Sequence, residues 1–527
     1  MNNVDANEGT GGAKGVQRRD VLRTLIAAGM YTTVGGFGSL AHAASAPMPR
    51  KGGRIRVASL SSSTADTLDP AKGALSTDYA RHYMIYSGLT QFDSNLLPHL
   101  ALAEDIQTSD RMLWTIRLRK DVQFHNGKSL TSADVVYSLI RHKDPATGSK
   151  MKPVVEQFVD VKASGPHEVQ LRLASPNADL PAILADSHFL IVQDGATDFR
   201  SAVGTGPFRL KEFKPGVRTV ATRNPNYWKA GKPYLDEIEL VGIPDESARV
   251  NALLSGDVQL INAVNPRSTK RINASRGYAV LETKSGLYTN LIMRQDAAPT
   301  SNPDFVLAMK YLFDRQLIQR ALFRGYGALG NDHPIPPGHR YYLSDLPLRQ
   351  HDPERARFHL KKAGLLGIRL PMYASPAAEG SIDMGSVLQE AAAQVGLKLA
   401  VNRVPADGYW STHWMKHPLG FGNTNPRPTA DLLFSLFYKS DAPWNESGWK
   451  SETFDQMLLA ARGEADEAKR KHIYGDMQAL VHEKCGVGIP VFISLIDGYD
   501  KRIGGLGAIP IGGLMGYSFA DHVWLDA

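Results

Sequence analysis

Apolar and polar positions alternate with a period of two at several separate places along the chain. Trp114, Ile116 and Leu118 interleave with Thr115, Arg117 and Arg119, which predicts a half-buried strand. His125, Asn126 and Gly127 come next as turn chemistry, because Asn and Gly accept a positive φ at little cost. Thr131 then predicts a helix N-cap, with Asp134 three residues later, where a carboxylate suits the helix dipole. Residues 54–58 read as a first strand, and 204–208 introduce further alternating strands through 240. Residues 246–255 predict a helix, stopped by Gly256 as its C′ residue. Residues 305–323 predict one amphipathic helix, with Phe305, Met309, Leu312, Phe313, Leu317 and Ala321 at helical spacing. Asp352 and Pro353 open another helix, with Pro in its first turn. Residues 454–462 and 465–483 predict two more, and Trp410 and Trp414 stand at i, i+4 on a third.

Composition narrows the class. A chain of 527 residues is too long for one core and long enough for two or three domains. The net charge is +7, but both signs are interspersed and no block of five basic residues occurs, so nucleic acid is excluded as the expected partner. Residues 17–23 resemble a twin-arginine export motif around Arg18 and Arg19. A glycine-rich apolar run over 25–40 follows, then Ala41, His42 and Ala43 as small-residue cleavage positions. These predict an export signal over 1–43 and a mature start near Ala44. No cysteine lies near that site, which argues against a lipid anchor. Cys485 is the one cysteine, so no internal disulfide can form, and its apolar neighbours predict a buried core residue. No later run reaches 18 apolar residues.

The wording of residues 102–138 resembles the signature of the periplasmic solute-binding proteins of peptide-type ABC transporters. The resemblance recurs in order at 67–70, 204–208, 223–228, 234–240 and 252–257. It implies an α/β protein of the two-lobed periplasmic-binding type, with an extra third domain. One lobe would combine 50–86, 200–298 and 490–527, the inserted domain 87–199, and the second lobe 299–489. Two crossing strands near 294–300 and 489–496 would form a hinge. The implied activity is capture of a short peptide or peptide-like solute in the interlobe cleft and its delivery to an inner-membrane permease. The implied protein is periplasmic and monomeric, without a cofactor.

The same resemblance places ligand contacts on the segment between second-lobe strands, here 407–431. Peptide-binding members carry an aspartate there for the ligand's α-amine. Thr424 stands at that position, flanked by Asn423 and Asn425, and Asp431 is the nearest replacement. Arg427 offers a guanidinium for two parallel hydrogen bonds to a carboxylate, or else pairs with Asp431 at helical spacing. Trp410 and Trp414 are core residues or ligand walls, and Trp444 heads a second aromatic and polar cluster with Asn445 and Trp449. From the first lobe, the hydroxyl-rich loop with Ser61 and Ser62 suits ligand hydrogen bonds. Thr205, between Gly204 and Gly206, marks either a close backbone approach or a tight turn. Asn290 and Arg294 share one strand face, and Asn290 is expected to reach the cleft.

Enzyme signatures are missing: no Gly-x-Ser-x-Gly, no His-Glu-x-x-His and no Walker-type loop occurs in the mature chain, so no catalytic residue is named. His413 and His417 at i, i+4 are weighed as metal ligands against an exposed helix face. Alternatives kept open are a carrier for an opine, sugar acid, metal chelate or haem, and, of another class, an exported hydrolase.

Overall fold

The computed structural model describes residues 49–526; the export signal expected over 1–43 lies outside the described residues. The first apolar alternation becomes the strand Arg54–Ser59. It pairs in parallel with Glu237–Gly242 on one side and Leu260–Ile261 on the other. Parallel neighbours need a crossover, and the helix Glu246–Leu254 supplies it between those two strands. Asp245 caps that helix by accepting from the Ala248 amide at 2.7 Å, and Gly256 ends it at φ +84°. Phe208–Lys214 and Arg218–Arg223 continue the sheet as an antiparallel edge.

On the far side, Arg369–Ala374 lies between Lys398–Arg403 and Leu419–Thr424, parallel to both. Two long antiparallel strands, Tyr278–Met293 and Val491–Asp500, join the halves into one twelve-stranded sheet. Their register slips between Thr283 and Leu287, where one strand carries two more residues than its partner. Val280 and Ile496 pack with Leu253 and Ile261, whereas Leu287, Leu291 and Met293 pack with Phe305, Met309 and Phe421. The chain therefore passes between lobes at 284–286 and 494–496. The expected crossing at 294–300 is corrected by this packing, since Met293 already belongs to the second lobe's core.

Residues 103–173 form a separate four-stranded antiparallel sheet, ordered Ala103–Thr108, Leu113–Leu118, Glu168–Leu173, Phe158–Gly165. Trp114, Ile116 and Leu118 face a cluster with Val135, Leu139 and Phe189, as their alternation predicts. The helix Ser132–Ile140 covers this sheet, and the Asp134 carboxylate accepts from the Thr131 amide at 2.8 Å.

The single helix expected over 305–323 is two, Pro303–Tyr311 and Arg315–Ala321. Asp314 breaks the run by turning its carboxylate onto the Leu317 amide at 2.8 Å, which starts a second helix. The apolar spacing survives because both pieces pack on one core, through Phe305, Met309, Phe313 and Ile318. Cys485 is a buried core residue. Among the described residues no helix is long and apolar enough to cross a membrane.

Candidate ligand-binding site

Residues 60–61, 262–263, 377, 379, 423 and 425–428 lie at or just past the carboxyl ends of parallel strands, and all line one cavity of about 960 Å³. Open α/β sheets place ligand crevices at that end. Residues 150–154 and 186–188, beside the separate small sheet, and the glycine-rich 511–517 segment complete its wall.

Five of the residues singled out in the sequence line this cavity: Ser61, Asn423, Asn425, Arg427 and Trp444. Ser61 Oγ lies 3.1 Å from Ser76 Oγ at the start of the helix Ser76–Ile85. Asn423 Nδ2 donates to Thr289 Oγ1 at 3.0 Å. Arg427 Nη1 donates to the backbone oxygens of Asn425 and Pro426, both at 3.1 Å. Its guanidinium sits 5.7 Å from the Phe437 ring centre and 6.0 Å from that of Trp444. Desolvation lowers the Arg427 pKa, and among the described residues no carboxylate lies within ion-pair distance.

The other seven stand away from the cavity wall. Ser62 Oγ donates to Asp66 Oδ2 at 2.8 Å. Thr205 is fully buried between two glycines that crowd the Ile85 carbonyl; a Cβ on Gly204 would stand 2.0 Å from that oxygen. The close approach at this turn is thus to the protein's own backbone. Thr424 is buried beside Tyr288 and Tyr438 with its hydroxyl unpartnered. Asp431 pairs with Arg462 at 2.8 Å, so the considered Arg427–Asp431 pair is absent. Trp410 is exposed and meets Trp414 edge-on at 5.6 Å. Trp410 lies in a single helical turn, Tyr409–Thr412, which ends before Trp414; the expected longer helix is not formed.

Asn290 turns inward. Its Nδ2 donates to Glu446 Oε2 at 2.7 Å, while Trp414 Nε1 donates to Glu446 Oε1, also at 2.7 Å. Burial pushes the Glu446 carboxyl up to about 7, against those two donors. Asn290 therefore supports the second lobe from behind the strand, and the expectation that it reaches the cleft is corrected. A Cβ on Gly422 would meet Glu446 Oε1 at 2.0 Å, so glycine there makes room for the acid.

His413 Nδ1 and His417 Nε2 lie 3.0 Å apart, with His417 stacked on Tyr373 at 3.5 Å. No group of three metal-ligating side chains occurs among the described residues.

The structure adds three charged groups that the sequence reading did not single out. Asp186 Oδ1 lies 2.7 Å from His188 Nδ1, and His188 Nε2 faces the Gly73 carbonyl at 3.1 Å. Burial opposes charge on His188, but Asp186 outweighs it and raises the pKa. Glu379 also faces the cavity, from the turn between Arg369–Ala374 and the helix Ser381–Gln394. Much of its surface meets the open space of the cavity, yet the walls shield it from bulk water and raise its pKa. Tyr79 packs on His188 and on Tyr517 at 5.5 and 5.3 Å. Glu379 follows the end of a parallel strand, a signal that requires knowing which strands run parallel; Asp186 and His188 follow the short helix Leu180–Ile183, and Tyr79 lies within Ser76–Ile85, where no local pattern marks them.

Two lobes joined through one sheet, with a large wall of aromatic and polar groups facing a shared cavity, define a solute-binding architecture. The model of the bacterial extracellular solute-binding proteins, family 5, matches residues 97–446, and the chain belongs to that family, whose members serve ABC transporters. The glutathione-binding protein GsiB of Escherichia coli O6:K15:H31 is 25% identical over 477 residues, covering 86% of this chain and 92% of that one. The periplasmic binding protein DppA of Helicobacter pylori, solved with the peptide STSA, superposes with a TM-score of 0.77 at 21% identity, covering 91% and 99% of the two chains. AgaA of A. tumefaciens R10, solved with agropinic acid, gives 0.75 at 24% identity over 90% and 99%.

Proposed function

We propose that this chain captures a short peptide or peptide-like solute in the cavity and hands it to the permease of an ABC importer. The observation that carries this reading is the cavity of about 960 Å³, walled from both lobes, with Arg427 facing it and no protein carboxylate within ion-pair distance among the described residues. A ligand carboxylate supplies that partner in two parallel hydrogen bonds. A solute that touches both lobes adds contacts available only in the closed form, so it shifts the lobes toward closure without covalent chemistry. Export through the 1–43 segment and a periplasmic, monomeric carrier complete the reading. The GsiB relatives make glutathione the first solute to try. An opine-like acid is the second reading, favoured by the burial of Thr424 away from the cavity wall and by Asp431 being held by Arg462.

The test is a thermal-shift panel on protein unfolded and refolded to strip carried solute. It contains di- and tripeptides, glutathione, their N-acetylated copies, opines, sugar acids, nickel–histidine and haem. At 100 times its dissociation constant, the true ligand adds about 2.7 kcal/mol of stability. A shift with peptides or glutathione is expected. A shift only with non-peptide solutes replaces the peptide reading, and turnover of any of them replaces the carrier reading.

A further inference from the structure

We propose that Glu379 is the counter-ion for a positively charged group of the ligand, so that the cavity selects solutes carrying a cation for Glu379 and a carboxylate for Arg427. This rests on the reading above and narrows it to a substrate class.

The backbone of Glu379 is fixed while its carboxylate is left unpaired. Its carbonyl accepts from Thr289 Oγ1 at 2.7 Å, and that same hydroxyl accepts from Asn423 Nδ2 at 3.0 Å. Thr289 and Asn423 face each other across the pairing of Tyr278–Met293 with Leu419–Thr424. The turn that carries Glu379 is thus tied to the strand whose end leads to Arg427, and both side chains line one cavity. Among the described residues no side chain or amide bonds the Glu379 carboxylate.

The neighbouring acids are already engaged. Asp186, the other acid on the cavity wall, holds His188. Asp431 holds Arg462. Of the basic groups on the wall, Arg427 has only backbone acceptors, and Lys150 stands exposed. The Glu379 carboxylate is exposed to the open space of the cavity and has no protein partner among the described residues, so a ligand ammonium seated there gains a charge-assisted hydrogen bond. The same holds with opposite sign for Arg427. Because the two groups leave different strand ends, a solute that meets both must carry a cation and a carboxylate at distinct positions, which is a specificity device.

The test is calorimetric titration of the full chain, wild type and Glu379→Gln, with dialanine, trialanine, glutathione and the N-acetylated copy of each. In the wild type, acetylation is expected to weaken binding about 10- to 100-fold, the worth of a charge-assisted bond. In Glu379→Gln the free amine loses a similar factor and the acetylated copy loses none. The unliganded variant should unfold at the same temperature as wild type or higher, since an unpaired acid has gone; a lower midpoint would mark a structural role and overturn the proposal. If the substitution weakens both members of a pair equally, or neither, Glu379 is not the counter-ion and peptide capture stands. If no free-amine solute binds the wild type, the counter-ion and the peptide reading fall together.

Discussion

At the scale of single residues, the second lobe turns on one acid. Glu446 has two donors and no cation, and its pKa near 7 reflects burial. Its folded pKa exceeds its unfolded one, near 4.5, so the folded state holds the extra proton. Stability from this group is present below about pH 4.5 and is lost as pH rises toward 7 and beyond. Glu446→Gln should therefore raise stability at pH 8, by on the order of 2 kcal/mol, and flatten the pH dependence over that window. The unpartnered Asn290 Oδ1 can turn to accept from the new amide. Urea titrations at pH 5 and pH 8 check this; a variant less stable than wild type at both would sink it. Sequence alone singled out Asn290 as a ligand contact and left Trp414 between core and ligand wall. Their shared partner lies 32 and more residues away along the chain, a separation that no local pattern reveals.

At the scale of elements, short-range patterns were legible and interruptions were not. The alternation around Trp114, the Thr131 helix start and the Gly256 stop all follow from neighbours within a few residues. The break at Asp314 escaped because apolar spacing continues across it, while the decisive event is a side chain capturing a backbone amide. Asp314→Ala removes that cap and should cost about 1 kcal/mol, read from thermal or urea unfolding. Unchanged stability would mean that packing of Ile318 and Phe313 alone ends the first helix. Five of twelve candidate ligand residues line the cavity, chiefly those in loops after a strand end. Those that failed, such as Thr424 and Thr205, sit one residue on the wrong side of a strand or within a glycine turn, where the pleat decides the direction.

At the scale of the whole molecule, the segment that follows the four-stranded sheet is tethered to the second lobe by buried charge. Asp179 Oδ2 lies 2.8 Å from Arg470 Nη2, and its Oδ1 lies 3.3 Å from Arg340 Nη2. The Ala178 amide adds a bond to the Arg462 carbonyl at 3.1 Å, and Arg462 in turn holds Asp431 near the cavity. Removing one partner of a buried pair strands the other, at a cost of about 3–5 kcal/mol. Asp179→Ala should relieve that cost by opening the contact, so scattering should show a larger radius of gyration and titration a weaker ligand affinity. An unchanged radius with unchanged affinity would assign this contact no part in closure.

At the slip between the two crossing strands, Ser285 Oγ donates to the Ile493 carbonyl at 2.9 Å and accepts from the Leu287 amide at 3.1 Å. A side chain stands in for the missing ladder at the place where the lobes meet. The lobes are thereby two ends of a single woven ribbon, stitched at the slip by one hydroxyl group that bonds both strands' backbones.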